Sequence, residues 1–328
     1  MNNFTDQSTY CKPEVYSEYS QTKRPEITME DIKHSDELVQ FYTGIPDYAT
    51  FNAVYSSLVQ HGAGRMEIDN EEITNSVSSR TLRLIDEFVM VMIRLRLGLL
   101  LIDLQHRFKV SSGRISRVFT AWIKFMHSCF NELIFLPKLS VLQQRLPKCF
   151  GNFSDTRVVL DCTELFVQTP SSLENKTATY SHYKSHKTYK TLVGISMTGA
   201  VVHVSKLSGG SASDVNITRN SGLLEQIEPD DAVMVDKGFI QLKSDLEKQN
   251  AKLYCPTFMS SKAQFSKTEV ELTRRIASAR THVERKMEQI KNFRILQSVI
   301  PISLSNIVDY IFVVCCTLTN LLPPLVKE

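Results

Sequence analysis

The stretch Arg157-Val-Val-Leu-Asp161-Cys-Thr-Glu-Leu-Phe-Val167 decides how this chain is read, because an apolar run carries a carboxylate into a strand. Val158, Val159 and Leu160 suit a pleated, buried surface, and strand alternation puts Thr163 on the face of Asp161 while Glu164 turns to the other. A second run, Ala232-Val-Met-Val-Asp236, also ends on an aspartate. Between the two, Thr191–Ser196 and Ala200–Leu207 read as a hairpin around Thr198-Gly199. Farther on, Arg280-Thr-His-Val-Glu-Arg-Lys-Met-Glu-Gln-Ile290 is helical. Ile276, Val283, Met287 and Ile290 form its apolar stripe, and Arg280, Glu284, Glu288 and Lys291 line the adjoining face. Strand, hairpin, strand and helix in that order indicate an α/β class.

Two aspartates at strand ends and a glutamate on a later helix can converge on divalent metal. Carboxylate oxygens suit Mg²⁺ and Mn²⁺, and two such ions about 3.5–4 Å apart clamp the attacking and leaving oxygens of a phosphoryl displacement. A structural role for each acid is the competing reading, since Asp after a strand is a common turn former or helix cap and the chain has 35 acidic residues. Geometry alone leaves Glu288 level with Glu284. Asp214, ahead of Val215-Asn-Ile217, reads as a helix cap or a support for the ligand set, with metal ligation as a further option.

The chain has 328 residues, 42% of them hydrophobic, enough for a substantial core in one large domain or two or three units. The apolar region Ile307 to Val326 is interrupted by Asp309, Asn320 and Pro323-Pro324, so a buried terminal helix is expected and no membrane partner. Seven cysteines show no zinc-type spacing, and no signal peptide is evident, which points to a reducing intracellular setting. A formal charge of +3 does not by itself indicate a polyanionic partner. Local patches do: Arg274 to Arg294 carries seven basic residues, and Tyr180 to Lys190 interleaves Lys184, Lys187 and Lys190 with tyrosines and histidines. These lysines read either as a solvated loop or as a surface that tracks phosphates. Lys237, beside the second aspartate, reads as merely exposed or as a phosphate contact, and Gly238 as the residue permitting a tight turn.

Residues 1 to about 30 are polar and without apolar periodicity, and are expected to form a disordered tail. A helical region, 31–150, follows. Ser35 to Gln60 fits two amphipathic helices around Gly44-Ile-Pro46, and Gly62 to Ser79 is a polar linker. Residues 83–126 parse as helix, helix, turn, helix. Ser111 or Ser112 caps the last helix, whose inner face is Ile115, Val118, Phe119, Trp122 and Phe125. Ser112, Arg114 and Arg117 then mark its outer face, where a helix-turn-helix would contact DNA; a plain three-helix bundle fits the same pattern. The catalytic region is expected over 151–328.

The wording around the acids resembles the DDE superfamily endonucleases of the Harbinger/PIF transposon type, from about Ser35 to Pro324. The blocks are Asp161-Cys-Thr-Glu164, Tyr180-Ser-His-Tyr-Lys-Ser-His-Lys187, Gly209-Gly-Ser-Ala-Ser-Asp214, Val235-Asp-Lys-Gly-Phe239, Ala279-Arg-Thr-His-Val-Glu-Arg285 and Gln289-Ile-Lys-Asn-Phe-Arg294, in the family's order and with its short interval from second to third acid. The resemblance implies a ribonuclease-H-like catalytic domain preceded by an all-α helix-turn-helix-like region. It selects Glu284 through His-Val-Glu-Arg and makes Asp161, Asp236 and Glu284 the catalytic and metal-holding residues. Asp161 would bridge two Mg²⁺ or Mn²⁺ ions and the other two acids would hold one each. DNA is the expected partner, through Arg114, Arg117, Lys184, Lys187, Lys190, Lys237, Arg280 and Lys291. Arg94-Leu-Arg-Leu-Gly98 and Arg107-Phe-Lys-Val-Ser111 match the family's helix-turn-helix wording.

Asp-Cys-Thr-Glu stands where many members have Asp-Gly-Thr-His, a variant at home in one branch. The resemblance also implies a separate DNA-binding partner protein and residence in the nucleus; a homo-oligomer is left open. Two rival functions remain: a domesticated protein that binds DNA or an adaptor without cutting, and a phosphatase or RNA nuclease with a similar metal pair.

Overall fold

Three short helices begin the computed structural model, which describes residues 24–68, 80–256 and 266–325. They are α1 (Met29–Ile32), α2 (Asp36–Thr43) and α3 (Tyr48–Gln60). Ile27, Met29 and Ile32 are buried, so residues 24 to 30, expected as the end of a disordered tail, belong to the fold. The remainder of that tail, up to residue 23, lies outside the described residues, as do residues 69–79 of the expected linker. Gly44 turns α2 into α3 with φ +76°, and a Cβ there would stand 2.9 Å from the Phe293 ring. Both the backbone angle and the close approach require glycine.

Next come α4 (Leu84–Leu97), α5 (Leu101–Phe108) and α6 (Ser112–Phe130). Helix α4 stops at Leu97 because Gly98, at φ 67°, closes it in the left-handed conformation. Ser111 is the cap of α6, accepting the Arg114 N–H at 3.3 Å. Ile115, Val118, Phe119 and Trp122 are buried as expected, together with Ile123 and Met126. Phe125 departs from expectation. It lies at the edge of the stripe, half-buried, with its ring set edge-on to Trp122 at 6.4 Å. The segment α7 (Leu139–Gln143) leads into the sheet.

Strand β1 (Thr156–Phe166) follows, then α8 (Leu173–Thr179), β2 (Tyr180–Ser181), β3 (His186–Ile195), β4 (Val201–Val204), β5 (Ser208–Gly209), α9 (Asp214–Arg219), β6 (Ala232–Met234), α10 (Lys243–Glu247), β7 (Lys252–Tyr254), α11 (Lys267–Lys291) and α12 (Val308–Thr319). The main path of the sheet runs β2-β3-β1-β6-β7, with β4 and β5 also pairing β3. Strands β1, β3 and β4 are antiparallel neighbours, while β6 and β7 run parallel to β1. The expected hairpin is β3–β4, turning at Gly199 with φ +89°.

The strong apolar content of β1 follows from burial on both faces. Val159 and Leu165 join the larger core with α6, α11 and α12, whereas Val158 and Leu160 join a second core with α9 and α10. Helix α12 is the expected buried terminal helix. The window Ile302–Thr319 is long and apolar enough to cross a membrane by composition, but 61% of it is buried against the rest of the fold, as in a core helix.

Candidate functional site

Asp161 leaves the larger-core face of β1, two residues beyond Val159. The parallel register pairs Val159 with Met234 of β6, and continued by two residues it sets Asp161 beside Asp236 on the same face. Asp161 Oδ1 accepts the Cys162 N–H at 3.0 Å. Asp236 caps the short 3₁₀ turn Lys237–Leu242, its Oδ1 accepting the Lys237 N–H at 2.6 Å. The Asp236 side chain keeps 54% of its surface exposed. Burial pushes the Asp161 carboxyl up to about 6; Arg280 opposes this, and Asp236 and Asp214 add to it.

Helix α11 starts with a capping box, Ser266 and Glu269 bonding each other's backbone N–H. Ile276, Ala279, Val283, Met287 and Ile290 fix it behind the sheet. Arg280 then projects to the acids: its guanidinium lies 3.3 Å from Asp236 Oδ1. Glu284 follows one turn later on the same face and is exposed. Lys291 continues that face, half-buried, in the field of Asp161 and Glu164, with its ammonium lowered mainly by burial.

Among the described residues no group of three or more His, Cys, Asp or Glu is close enough to hold a metal ion. Asp161, Asp236 and Glu284 therefore do not form a closed cluster. The donor chemistry nevertheless fits a hard divalent cation at the aspartate pair: both are oxygen donors, one on β1 and one just past the end of β6, and burial keeps the Asp161 carboxyl raised despite Arg280. Glu284, exposed one turn beyond Arg280 on α11, is not gathered into a cluster with that pair.

The opposite face of β1 carries a different constellation. Lys190 Nζ lies 2.5 Å from Asp214 Oδ1, with the Glu164 carboxylate close enough for its charge to act on Lys190 and the Cys162 thiol, pushed up by burial, beside them. Glu164 also accepts the Thr188 hydroxyl at 2.7 Å. Two expectations change here. Ser213, not Asp214, caps α9, accepting the Asn216 N–H at 3.2 Å. Lys190, expected to face phosphates, is instead closed in an ion pair. Gly238 does not take the left-handed conformation, and a Cβ there would stand 3.2 Å from Asp214 Oδ2, a tight contact that a small shift of the carboxylate relieves.

Of the other basic residues, Lys184 is exposed above the Tyr183 ring at 4.7 Å, and Lys237 is exposed beside Asp236. Lys187 is half-buried, set over Tyr180 at 4.6 Å and donating to the Lys176 carbonyl. Arg117 is exposed near the start of α6, whereas Arg114 is half-buried in the field of Glu87. Glu87 is itself buried, paired with Arg80 and accepting the Trp122 indole N–H at 3.1 Å. Nothing in the local sequence signalled this network, because its members come from separate helices.

Residues 160–320 match the model of the DDE superfamily endonuclease family, and residues 80–132 match that of the helix-turn-helix of DDE superfamily endonuclease. No curated protein and no solved structure matches the chain. The first match contains both aspartates and α11, and the second spans α4 to α6. Over these two stretches, one ahead of the other, the chain is similar to DDE superfamily endonucleases and to the helix-turn-helix that accompanies them.

Proposed function

We propose that the protein is a divalent-metal-dependent DNA endonuclease of transposase type, with a ribonuclease-H-like catalytic domain and Asp161, Asp236 and Glu284 as its acids. The observation that carries this reading is the pair Asp161 and Asp236, one on β1 and the other two residues past the end of β6, with Arg280 of the helix that bears Glu284 against Asp236. An acid on the first strand, a second on the neighbouring later strand and a helix behind the sheet are the features of a ribonuclease-H-like site. The three acids would hold Mg²⁺ or Mn²⁺, whose bound charge supports the attacking and leaving oxygens of an in-line phosphoryl displacement. Arg117, Lys184 and Lys237 supply exposed positive charge for the DNA backbone, with Arg114, Lys187 and Lys291 set deeper.

Block order and wording favour the Harbinger/PIF branch, and with it a nuclear role assisted by a second DNA-binding protein. The test is cleavage of a labelled duplex carrying candidate element ends, with Mg²⁺ or Mn²⁺, by the wild type and by Asp161→Ala, Asp236→Ala and Glu284→Ala. Metal-dependent cutting that disappears in all three supports the reading.

A second reading, a domesticated protein that binds DNA without cutting, is favoured by one observation: the three acids do not form a closed cluster. Duplex binding without cleavage, indifferent to the three substitutions, would select it.

A further inference from the structure

Arg280 is held differently from the other arginines paired with carboxylates. Arg157 meets Asp231 at 2.8 Å, Arg219 meets Asp245 at 2.8 Å, and Arg83 grips Glu30 with two N–H groups at 3.0 and 2.9 Å. Those are the short distances of charge-assisted bonds. Arg280 approaches Asp236 only to 3.3 Å, although its side chain is 12% exposed; its buried Nε has no hydrogen-bond partner, as is also true of Arg157, so the longer contact is what sets Arg280 apart. A guanidinium offers five donors, and leaving one dry and unbonded is unfavourable. Charge, more than directional bonding, keeps it there.

Its position explains the tolerance. Arg280 faces Asp236 directly at 3.3 Å, and the strand register sets Asp161 beside Asp236, so one cation stands at both acids of the pair. It stands one turn before Glu284 on α11 and brings positive charge to the place where two carboxylates would otherwise repel.

We propose that Arg280 is a built-in counter-ion for the Asp161–Asp236 pair, which steadies the carboxylates in the metal-free protein and is displaced when a divalent cation binds. This rests on reading the pair as a cation site. Displacement is feasible because the arginine contact is loose, whereas a divalent ion satisfies carboxylate oxygens directly. Arg280 acts as a positioning residue, and the guanidinium once released is free to meet a DNA phosphate.

The full-length protein is titrated with Mn²⁺ at about pH 8, free ion being followed by electron paramagnetic resonance, for the wild type, Arg280→Gln and Arg280→Lys. Circular dichroism verifies that each is folded. Removing the competing charge is expected to tighten Mn²⁺ binding at least about 5-fold in Arg280→Gln, with Arg280→Lys near the wild type. Equal or weaker binding by folded Arg280→Gln would overturn the counter-ion proposal while leaving the metal site intact. Absence of Mn²⁺ binding in the wild type and both variants would overturn the cation-site reading, and the proposal with it.

Discussion

The two faces of β1 carry acids three residues apart, Asp161 and Glu164, and treat them in opposite ways. On the α9 side, Glu164 takes a hydroxyl proton donor and Lys190 closes on Asp214 at 2.5 Å. On the α11 side, Asp161 is buried deeply enough to raise its carboxyl to about 6, and the nearby cation, Arg280, makes its closest contact with Asp236 instead. An acid neutralised by a close cation or hydrogen-bonded by a hydroxyl is part of the architecture. An acid left short of positive charge is prepared to receive it from a ligand, and the proposed cation site on the α11 face rests on this contrast.

The largest expected effect tests that assignment directly. Asp161→Asn keeps the shape of the side chain but removes its charge, and should lower metal-dependent DNA cleavage at least about 10³-fold, the scale of lost transition-state charge stabilisation. A folded Asp161→Asn protein that cuts at the wild-type rate would end the distinction between the faces.

The α9 side makes a prediction about pH. His203 of β4 is paired with Gly194, whose added Cβ would meet Val158 of the second core at 2.9 Å. It is 8% exposed, its Nε2 has no hydrogen-bond partner, and burial lowers its pKa to about 4. The folded pKa lies below the unfolded value of about 6.5, so between these limits the unfolded chain binds more protons. Stability should therefore fall as pH falls from about 6.5 to about 4, by up to about 3 kcal/mol from this group. Denaturant titrations at several pH values would show it, and His203→Phe should flatten the slope. An unchanged slope would mean that the histidine is not held neutral.

Breaking the closed pair should have a smaller effect, and on stability instead of catalysis. Asp214→Asn leaves Lys190 without its partner; with side chains 15% and 27% exposed, solvent screens part of the loss, giving about 1–2 kcal/mol. Cleavage should stay within an order of magnitude of the wild type. A loss as deep as that of Asp161→Asn would move Asp214 into the metal-holding set.

Much of this was legible along the chain, for a physical reason: β1 and α11 advertise themselves through long apolar periods, and their acids sit at positions those periods define. The ends of α2 and α6 were legible through Gly44 and Ser111, local devices that act within a few residues. What escaped depends on distant residues meeting. Strand β7 has three residues, Lys252–Tyr254, and exists by pairing with β6. The Lys190–Asp214 pair joins β3 to α9 across a hairpin, so Lys190 looked like one more lysine of a basic tract. At Gly209 a Cβ would lie 2.2 Å from the Ala178 carbonyl oxygen, a constraint with no trace in the neighbouring sequence.

The helical region repeats the contrast between closed and solvent-facing charge, and supplies the smallest effect. Arg114 is half-buried in the field of Glu87, while Arg117, one turn along α6, is exposed. If α6 lies against DNA, Arg117→Ala should weaken binding by a similar factor for all sequences and reduce the slope of log affinity against log salt by about 1, as for one lost phosphate contact. Arg114→Ala should instead register mainly in stability, by about 1 kcal/mol, because it removes a charge that offsets buried Glu87. Measuring duplex binding at several salt concentrations alongside thermal unfolding separates the two. A slope unchanged in both variants would take this face of α6 off the DNA and leave the bundle as a scaffold for the acids.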